Sequence, residues 1–571
     1  MRVPLSWLND FVAVGDLLSP EARLVDALAS LEPFLDRLAM LGFGHESPER
    51  VGDDLVLDLE IASNRPDLLS IIGVAREIGA AWELDTRVPP LVVNTTPPAT
   101  SSVTQVSIEE PDLCPRFTAH VIDGVRVGSS PEWMQRRLEL CGVRSINNIV
   151  DVTNYVMLEL GQPMHAFDLD RLEGRRLVVR RARPGERLVT LDSVERKLDA
   201  HTLVVADAKC AVAVAGIIGG ADTEIREGTT RVLLEAASWA PAQIRRTSRR
   251  LGVRTESSTR FERGLDRRIA LDAAKRAAAL ITQVAGGKIL DETLDVYLRT
   301  APSPVIALRP ARVDRILGMA VERDRSVDIL RRLGCAVEAN RETLRVIPPP
   351  GRLDLELEAD LIEEIARHVG YDKIPEAMPV EATHAGGRSA GLTAEAAARD
   401  VLVRAGLTEA TTISLITPRL LDRLGLDPDD PWQRPVPLLN PFTAEHTHLR
   451  PAVLPGLLEA VRVNVSRRRG SVHVFEIGRI FRRGPGMAGV REGATITGTP
   501  TSVEERRSLA MALHGRWLVG EWDGRGDDGQ ATYFHLKGIL ETLTAELRIG
   551  TLAVEAGGPP WLHPARAGRV M

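Results

Sequence analysis

Apolar positions in the first 95 residues cluster at helical spacing in three stretches, which predicts three helices. The first runs from about Leu5 to Val12. The second opens at Ser19-Pro20-Glu21, a capping serine followed by proline at the first helical position, and carries Leu24, Leu28 and Leu31 on one face. It restarts after Pro33 and runs towards Leu41, where Gly42 stops it. Leu55 to Ile61 alternates as a strand does, and Ser63-Asn64-Arg65-Pro66-Asp67 then opens a helix carrying Leu68, Leu69, Ile72, Val74 and Ala75. Pro89-Pro90 and the Thr/Pro/Ser stretch 95–102 read as a linker.

From 103 to about 298 strands and helices mix. Phe117 to Val127, Arg176 to Arg181, Leu203 to Ile218 and Val232 to Glu235 are strand-like. Ser130-Pro131 caps a helix reaching Cys141, Ala240-Pro241 starts an arginine-rich helix ending at Gly252, and an alanine-rich helix covers about Arg267 to Ala285. A smaller unit, 303 to about 378, reads as strand, helix (Pro310 to Leu317), helix (Asp324 to Leu333), strand pair (Val337 to Val346) and an acidic helix from about Glu358 to Val369. A Pro/Gly-rich stretch, 375–391, precedes a last region with strands at Val472 to Ile477 and Leu509 to His514. No fixed-period repeat is visible, and the pattern is α+β and multidomain.

Composition narrows this further. At roughly 150 residues per domain, 571 residues imply about four domains. With 44% hydrophobic and 26% charged residues the chain is an ordinary globular one, and 4% aromatics disfavour an array of base-stacking platforms. A net charge of −6 confines any RNA contact to local patches. Four scattered cysteines without a CxxC pair fit a reducing, cytoplasmic setting. The start breaks its apolar run too early for a signal peptide, and the most apolar stretch, Cys210 to Ala221, is too short to span a membrane.

Three constellations carry candidate chemistry. Asp360, Glu363 and Glu364 stand at i, i+3 and i+4, with Asp354 just upstream. Four oxygen donors suit a hard cation such as Mg²⁺, and a solvated acidic face is the alternative. Residues 144–155 and Gln162 to Asp168 crowd Asn, Thr, Tyr, Gln and His beside apolar residues, as a lined pocket would, with His165 a proton carrier or a structural histidine. Residues 226–268 hold 11 arginines against five acidic residues, a footprint for a polyanion or a helix laced with ion pairs. Within them Glu235 ends an apolar strand, where a carboxylate is costly to bury unless paired or functional. No P-loop, GxGxxG after a strand, GxSxG or HExxH occurs.

Together these segments resemble the β subunits of bacterial phenylalanyl-tRNA synthetases. The resemblance rests on Met1-Arg-Val-Pro-Leu-Ser-Trp-Leu8, Ser63 to Ser70 with Gly73-Val-Ala-Arg-Glu77, Asn148 to Tyr155, Gln162 to Asp168, and Arg260-Phe-Glu-Arg-Gly264. Asp360 to Arg367, Gly370 to Pro375, Leu449-Arg-Pro451 and Val474 to Gly478 continue it in the family's order. It implies an N-terminal segment (1–95), an α+β editing domain (96–300), a small winged-helix-like magnesium-binding domain (301–378) and a class II synthetase-like pseudo-catalytic antiparallel sheet (379–571). Magnesium ligands fall on Asp354, Asp360, Glu363 and Glu364. Editing-pocket positions fall on Thr153, Asn154, Pro163, His165, Gly216, Glu235 and Ser257, the last usually a small alanine-like residue.

The implied function is the β subunit of an α₂β₂ phenylalanine–tRNA ligase. It supports ATP-dependent charging by the α subunit and hydrolyses tyrosine mischarged onto the phenylalanine tRNA. ATP is bound mainly by α. An activated ester needs a positioned water and a held substrate, and a site that bonds the tyrosine hydroxyl rejects phenylalanine. A free-standing aminoacyl-tRNA deacylase and a purely structural subunit are the alternatives. Two departures stand out: Gly42 to Leu57 leaves no room for the family's internal oligonucleotide-binding barrel, and no anticodon-binding domain is expected before Met571.

Overall fold

The computed structural model describes residues 1–17, 31–300, 302–340, 342–378, 386–484, 503–517, 529–559, 561–563 and 566–571. The chain divides into two compact units, Met1–Met378 and Pro379–Met571, and both mix helices with mainly antiparallel sheets. No helix among the described residues is long and apolar enough to cross a membrane.

At the start of the chain the first helix is short, Leu5–Leu8, because the chain turns at Asn9, whose side chain accepts the Gly15 amide at 2.9 Å. The helix expected from Ser19 lies outside the described residues; its restart is the Glu32–Met40 helix, with Gly42 beyond it at φ +92°. Residues 42–57 make a tight hairpin of Glu49–Val51 on Asp54–Glu60, and Arg2–Pro4 pairs with the latter strand, so no barrel is inserted there. The next helix starts later than Ser63. Pro66 opens only a 3₁₀ turn, and Ser70 is the cap: its Oγ accepts the Gly73 amide while donating to the Asp67 carbonyl at 2.6 Å. Gly73 is required here, since a Cβ would lie 2.1 Å from the Asp67 oxygen.

The expected linker at 95–102 is a structural element. Thr95–Ala99 runs parallel to Lys288–Asp291 at the edge of a sheet, where prolines without an N–H are tolerated, and Thr100 is buried. That sheet is ordered Thr95–Ala99, Lys288–Asp291, Arg116–Asp123, Arg231–Ser238, Met164–Asp168, with Leu294–Tyr297 also on Arg116–Asp123. One face carries the Asn148–Leu160 helix, capped by Asn147, and the Ile269–Ala285 helix, whose buried alanines allow close approach. The other face shares a core with a second, five-stranded sheet. The apolar run Leu203 to Ile218 belongs to that sheet as three strands, Leu203–Ala206, Ala211–Val214 and Ile218–Gly219. It breaks where Asp207 caps the Lys209 and Cys210 amides and where Gly216 turns at φ +67°.

The smaller unit packs the Pro310–Leu317, Arg323–Arg332 and Glu358–Val369 helices on a three-stranded sheet. It is joined to the N-terminal segment by a buried ion network. Glu77 on the Ile71–Ala81 helix accepts from Arg65 at 2.6 Å and from Arg367 at 2.9 Å; Glu364 accepts from Arg367 at 2.8 Å and Arg352 at 2.9 Å. Arg367 also donates to the Leu41 carbonyl at 2.7 Å. Burial alone would push Glu77 up, but Arg367 and Arg65 hold it well below the usual carboxylate range. The second unit pairs Ser471–Arg483 with Val503–Gly515 along their whole lengths, longer strands than expected, and buries an Arg450–Glu476 pair at 2.6 Å.

Removing the Glu77 charge deprives two buried guanidinium groups of a partner, since Arg65, Arg352 and Arg367 then share only Asp67, Asp354 and Glu364. Glu77→Gln is expected to lower the unfolding free energy by about 3–5 kcal/mol, whereas Arg187→Ala, which breaks an exposed pair, costs less than ~1 kcal/mol. Because the Glu77 pKa is depressed in the fold from 4.5, its contribution is present above that pH and fades in acid, where the parent and Glu77→Gln converge. Denaturant titrations at neutral and acid pH check both statements.

Candidate functional site

Strand alternation places the site. Along Arg231–Ser238, Val232 and Leu234 face the helices, while Leu233 and Ala237 face the core between the two sheets. Glu235 has the same parity as Leu233 and Ala237, so its side chain enters the inter-sheet core, where it is 6% exposed. The register pairs Glu235 directly with His165 on Met164–Asp168. The two side chains therefore share a face and line one cavity of about 220 Å³, together with Pro163, Gly216, Trp239, Ser257 and apolar side chains that include Val205, Ala213, Val214 and Phe261.

Neither titratable group is paired. Glu235 Oε2 and His165 Nε2 are buried without a hydrogen-bond partner. Burial pushes the Glu235 carboxyl up to about 8 and the His165 imidazole down to about 4, so both are neutral at neutral pH. The imidazole is fixed edge-on to Phe167, ring centroids 4.5 Å apart, and lies over Gly219, where a Cβ would come within 2.4 Å of Cε1. Gly216 carries a positive φ and an equally tight surround, since a Cβ there would lie 2.6 Å from Trp239 Cδ1. The turn is held from the Glu256–Arg263 helix: Thr255 Oγ1 donates to the Ile217 carbonyl at 2.9 Å and Ser257 Oγ to the Gly216 carbonyl at 3.1 Å. The extra hydroxyl of Ser257 is thus spent on the turn. Arg260, fully buried, anchors the same helix to the Leu69 carbonyl.

The structure brings together five of the seven pocket positions expected from sequence: Pro163, His165, Gly216, Glu235 and Ser257. Thr153 and Asn154 are not among the residues lining the cavity. They sit on the Asn148–Leu160 helix, whose Ile149, Val152 and Tyr155 pack in the helical core, and Thr153 turns its hydroxyl back to the Val150 carbonyl at 2.7 Å. Gly219 and Leu191 were missed. The Gly219-Gly220 pair in an apolar run signals close backbone approach; the polar tip 190–194 around Leu191 carries no such signal.

The four carboxylates expected to share a cation are separated. Asp354 is held by Arg352 at 2.7 Å, Glu364 points inward into the ion network, and Asp360 Oδ2 accepts the Glu356 and Leu357 amides at the helix start. Glu363 is exposed. Among the described residues the converging donor set is Glu77, Glu364 and His368, buried and already countered by Arg65, Arg352 and Arg367. This buried triad does not fit a hard divalent cation, because its charge is taken up by guanidinium groups.

Three family descriptions match the chain: the B3/4 domain over residues 113–286, the tRNA synthetase B5 domain over 306–371, and the phenylalanyl-tRNA synthetase β chain CLM domain over 374–571. Phenylalanine–tRNA ligase β subunits are similar over nearly the whole chain. That of Moorella thermoacetica is 41% identical over 97% of this chain and 66% of its own, and that of Carboxydothermus hydrogenoformans 38% over 99% and 68%. That of Rhodopirellula baltica is 38% identical over 93% and 74%. The chain thus spans about two thirds of the length of the curated relatives it matches.

Between pH 4.5 and about 8 the folded chain keeps a proton on Glu235 that the unfolded chain has lost, so this group's contribution falls as pH rises through that window. Glu235→Gln removes the dependence. The variant is expected to match the parent near pH 4.5 and to exceed its stability by roughly 4 kcal/mol at pH 8. Thermal unfolding of both chains across this range checks it; equal stability at the alkaline end would mean an ordinary carboxyl.

Proposed function

The chain belongs to the family of phenylalanine–tRNA ligase β subunits, and we propose that it acts in such a ligase as the β subunit of an α₂β₂ assembly. In this reading the α subunit binds ATP and attaches phenylalanine to its tRNA. The present chain scaffolds α through its second unit and removes tyrosine mischarged onto that tRNA in the cavity between Glu235 and His165. The observation that carries the hydrolase reading is the orphaned, buried carboxyl of Glu235 facing a mainly apolar cavity that it shares with His165.

Size and polarity agree with an aromatic side chain bearing one hydroxyl. An apolar cavity of about 150 Å³ holds a benzene ring, so 220 Å³ accommodates a phenol. A protonated Glu235 both donates to and accepts from the phenol, and phenylalanine would leave it unpaired, a penalty that supports strong discrimination. His165, neutral, offers the Nε2 lone pair to a water molecule. That water adds to the ester carbonyl; the bond from carbon to the ribose oxygen breaks, and the proton lost by water ends on the departing ribose hydroxyl. The apolar walls exclude other water and hold the ester in place.

Deacylation of tyrosyl-tRNA and phenylalanyl-tRNA by the reconstituted α and β subunits tests this. Glu235→Ala should reduce the preference for tyrosyl-tRNA about 100-fold or more, and His165→Ala should slow hydrolysis of tyrosyl-tRNA. A Glu235→Ala complex that still clears tyrosine selectively would remove the carboxyl from the reading.

A further inference from the structure

The 11 arginines of residues 226–268 separate once their partners are traced. Arg226 pairs with Glu224, Arg231 with Asp170, Arg250 with Asp199, Arg260 with Glu256 and Arg268 with Asp266. Arg263 and Arg267 donate to the Ile61 and Arg299 carbonyls. Four remain. Arg245, Arg249 and Arg254 have no side-chain partner among the described residues, and Arg246 donates only to the Ala242 carbonyl one turn back. All four are exposed.

Their placement is ordered. The Pro241–Leu251 helix buries Gln243, Ile244, Thr247 and Ser248 and turns Arg245, Arg246 and Arg249 outward, with Arg245 and Arg249 one turn apart on one face. Arg254 follows directly and precedes Thr255, a lining residue of the Glu235 cavity. The buried side of the same helix reaches that cavity's turn: a Cβ on Gly216 would lie 2.9 Å from Ile244 Cδ1. The helix dipole accounts for cations in the last turn, such as Arg249 and Arg250, and leaves Arg245 and Arg254 unexplained. Four exposed guanidinium groups without a carboxylate partner, on the helix that backs the cavity's turn and on the segment leading into Thr255, are complementary to a row of phosphates.

We infer that Arg245, Arg249 and Arg254, with Arg246, form a docking surface for the phosphodiester backbone of RNA, which brings the RNA's 3′ end to the Glu235 cavity. This rests on the hydrolase reading for the identity of the RNA and for the direction in which its end points. The arginines position the substrate and take no part in bond breaking.

The test is binding of an uncharged phenylalanine-accepting tRNA transcript to the full chain, followed by fluorescence anisotropy between about 0.05 and 0.2 M salt. The triple variant Arg245→Ala, Arg249→Ala, Arg254→Ala puts a strong helix former at the two helical positions and touches no buried group. It should bind roughly 50-fold more weakly at ~0.1 M salt, with a slope of log affinity against log salt shallower by about two to three. A control variant with Arg315, Arg331 and Arg345 all changed to Ala removes the same charge from the smaller unit and should keep both values. The proposal falls if the triple variant binds like the parent, or if the control loses as much. Arginine-dependent binding with no deacylation by the reconstituted α and β subunits keeps the surface and overturns the hydrolase reading; deacylation by that complex with arginine-independent binding does the reverse.

Discussion

A carboxyl group taken out of water must be paired with a cation or keep its proton. The first unit of this chain does both. Glu77 and Glu364 remain ionised because Arg65, Arg352 and Arg367 surround them, and the resulting network ties the segment around residues 41–77 to the helix 358–369. Glu235 has no cation near it and remains protonated. The first solution holds the fold together, and the second leaves one polar group in an apolar cavity ready for a ligand.

The contrast has a local cause. Arg231–Ser238 is flanked on both edges by strands and covered on both faces, so alternation alone decides what each side chain meets. Five residues of the strand, Val232, Leu233, Leu234, Ala236 and Ala237, are ordinary core aliphatics, and Glu235 is the carboxylate set among them. Its cross-strand neighbour His165 is neutral for the same reason, burial without a partner, and is kept in place by Phe167 and by the bare backbone of Gly219. The Thr255 and Ser257 hydroxyls hold the Gly216 turn. The cavity is therefore polar at two points and rigid around them, as selection of a substrate by a single hydroxyl requires.

Much of this was legible in the sequence, and unevenly so. The Glu358–Val369 and Pro310–Leu317 helices and the Arg176–Arg181 strand lie where periodicity and caps put them, because local signals and burial agree there. The 95–102 segment reads as a linker because Thr and Pro mark a loop locally, while an edge strand needs no donor from them. Glu235 and His165 stand 70 positions apart, and only the strand register joins them. Thr153 and Asn154 are near His165 in sequence, yet they stand on the Asn148–Leu160 helix and are not among the residues lining the cavity. The carboxylates Asp354 and Glu364 looked free because nothing local reveals that Arg352 and Arg367 fold onto them.

The proton on Glu235 is the point on which recognition of a hydroxyl turns. The most direct measurement is an infrared difference titration of the full chain against its Glu235→Gln variant. A protonated-carboxyl band that persists at pH 7 and disappears near pH 8 is the expected result. A band already lost at about pH 5, with the carboxylate signal in its place, would contradict the assignment, because an ionised Glu235 could not donate to a phenol.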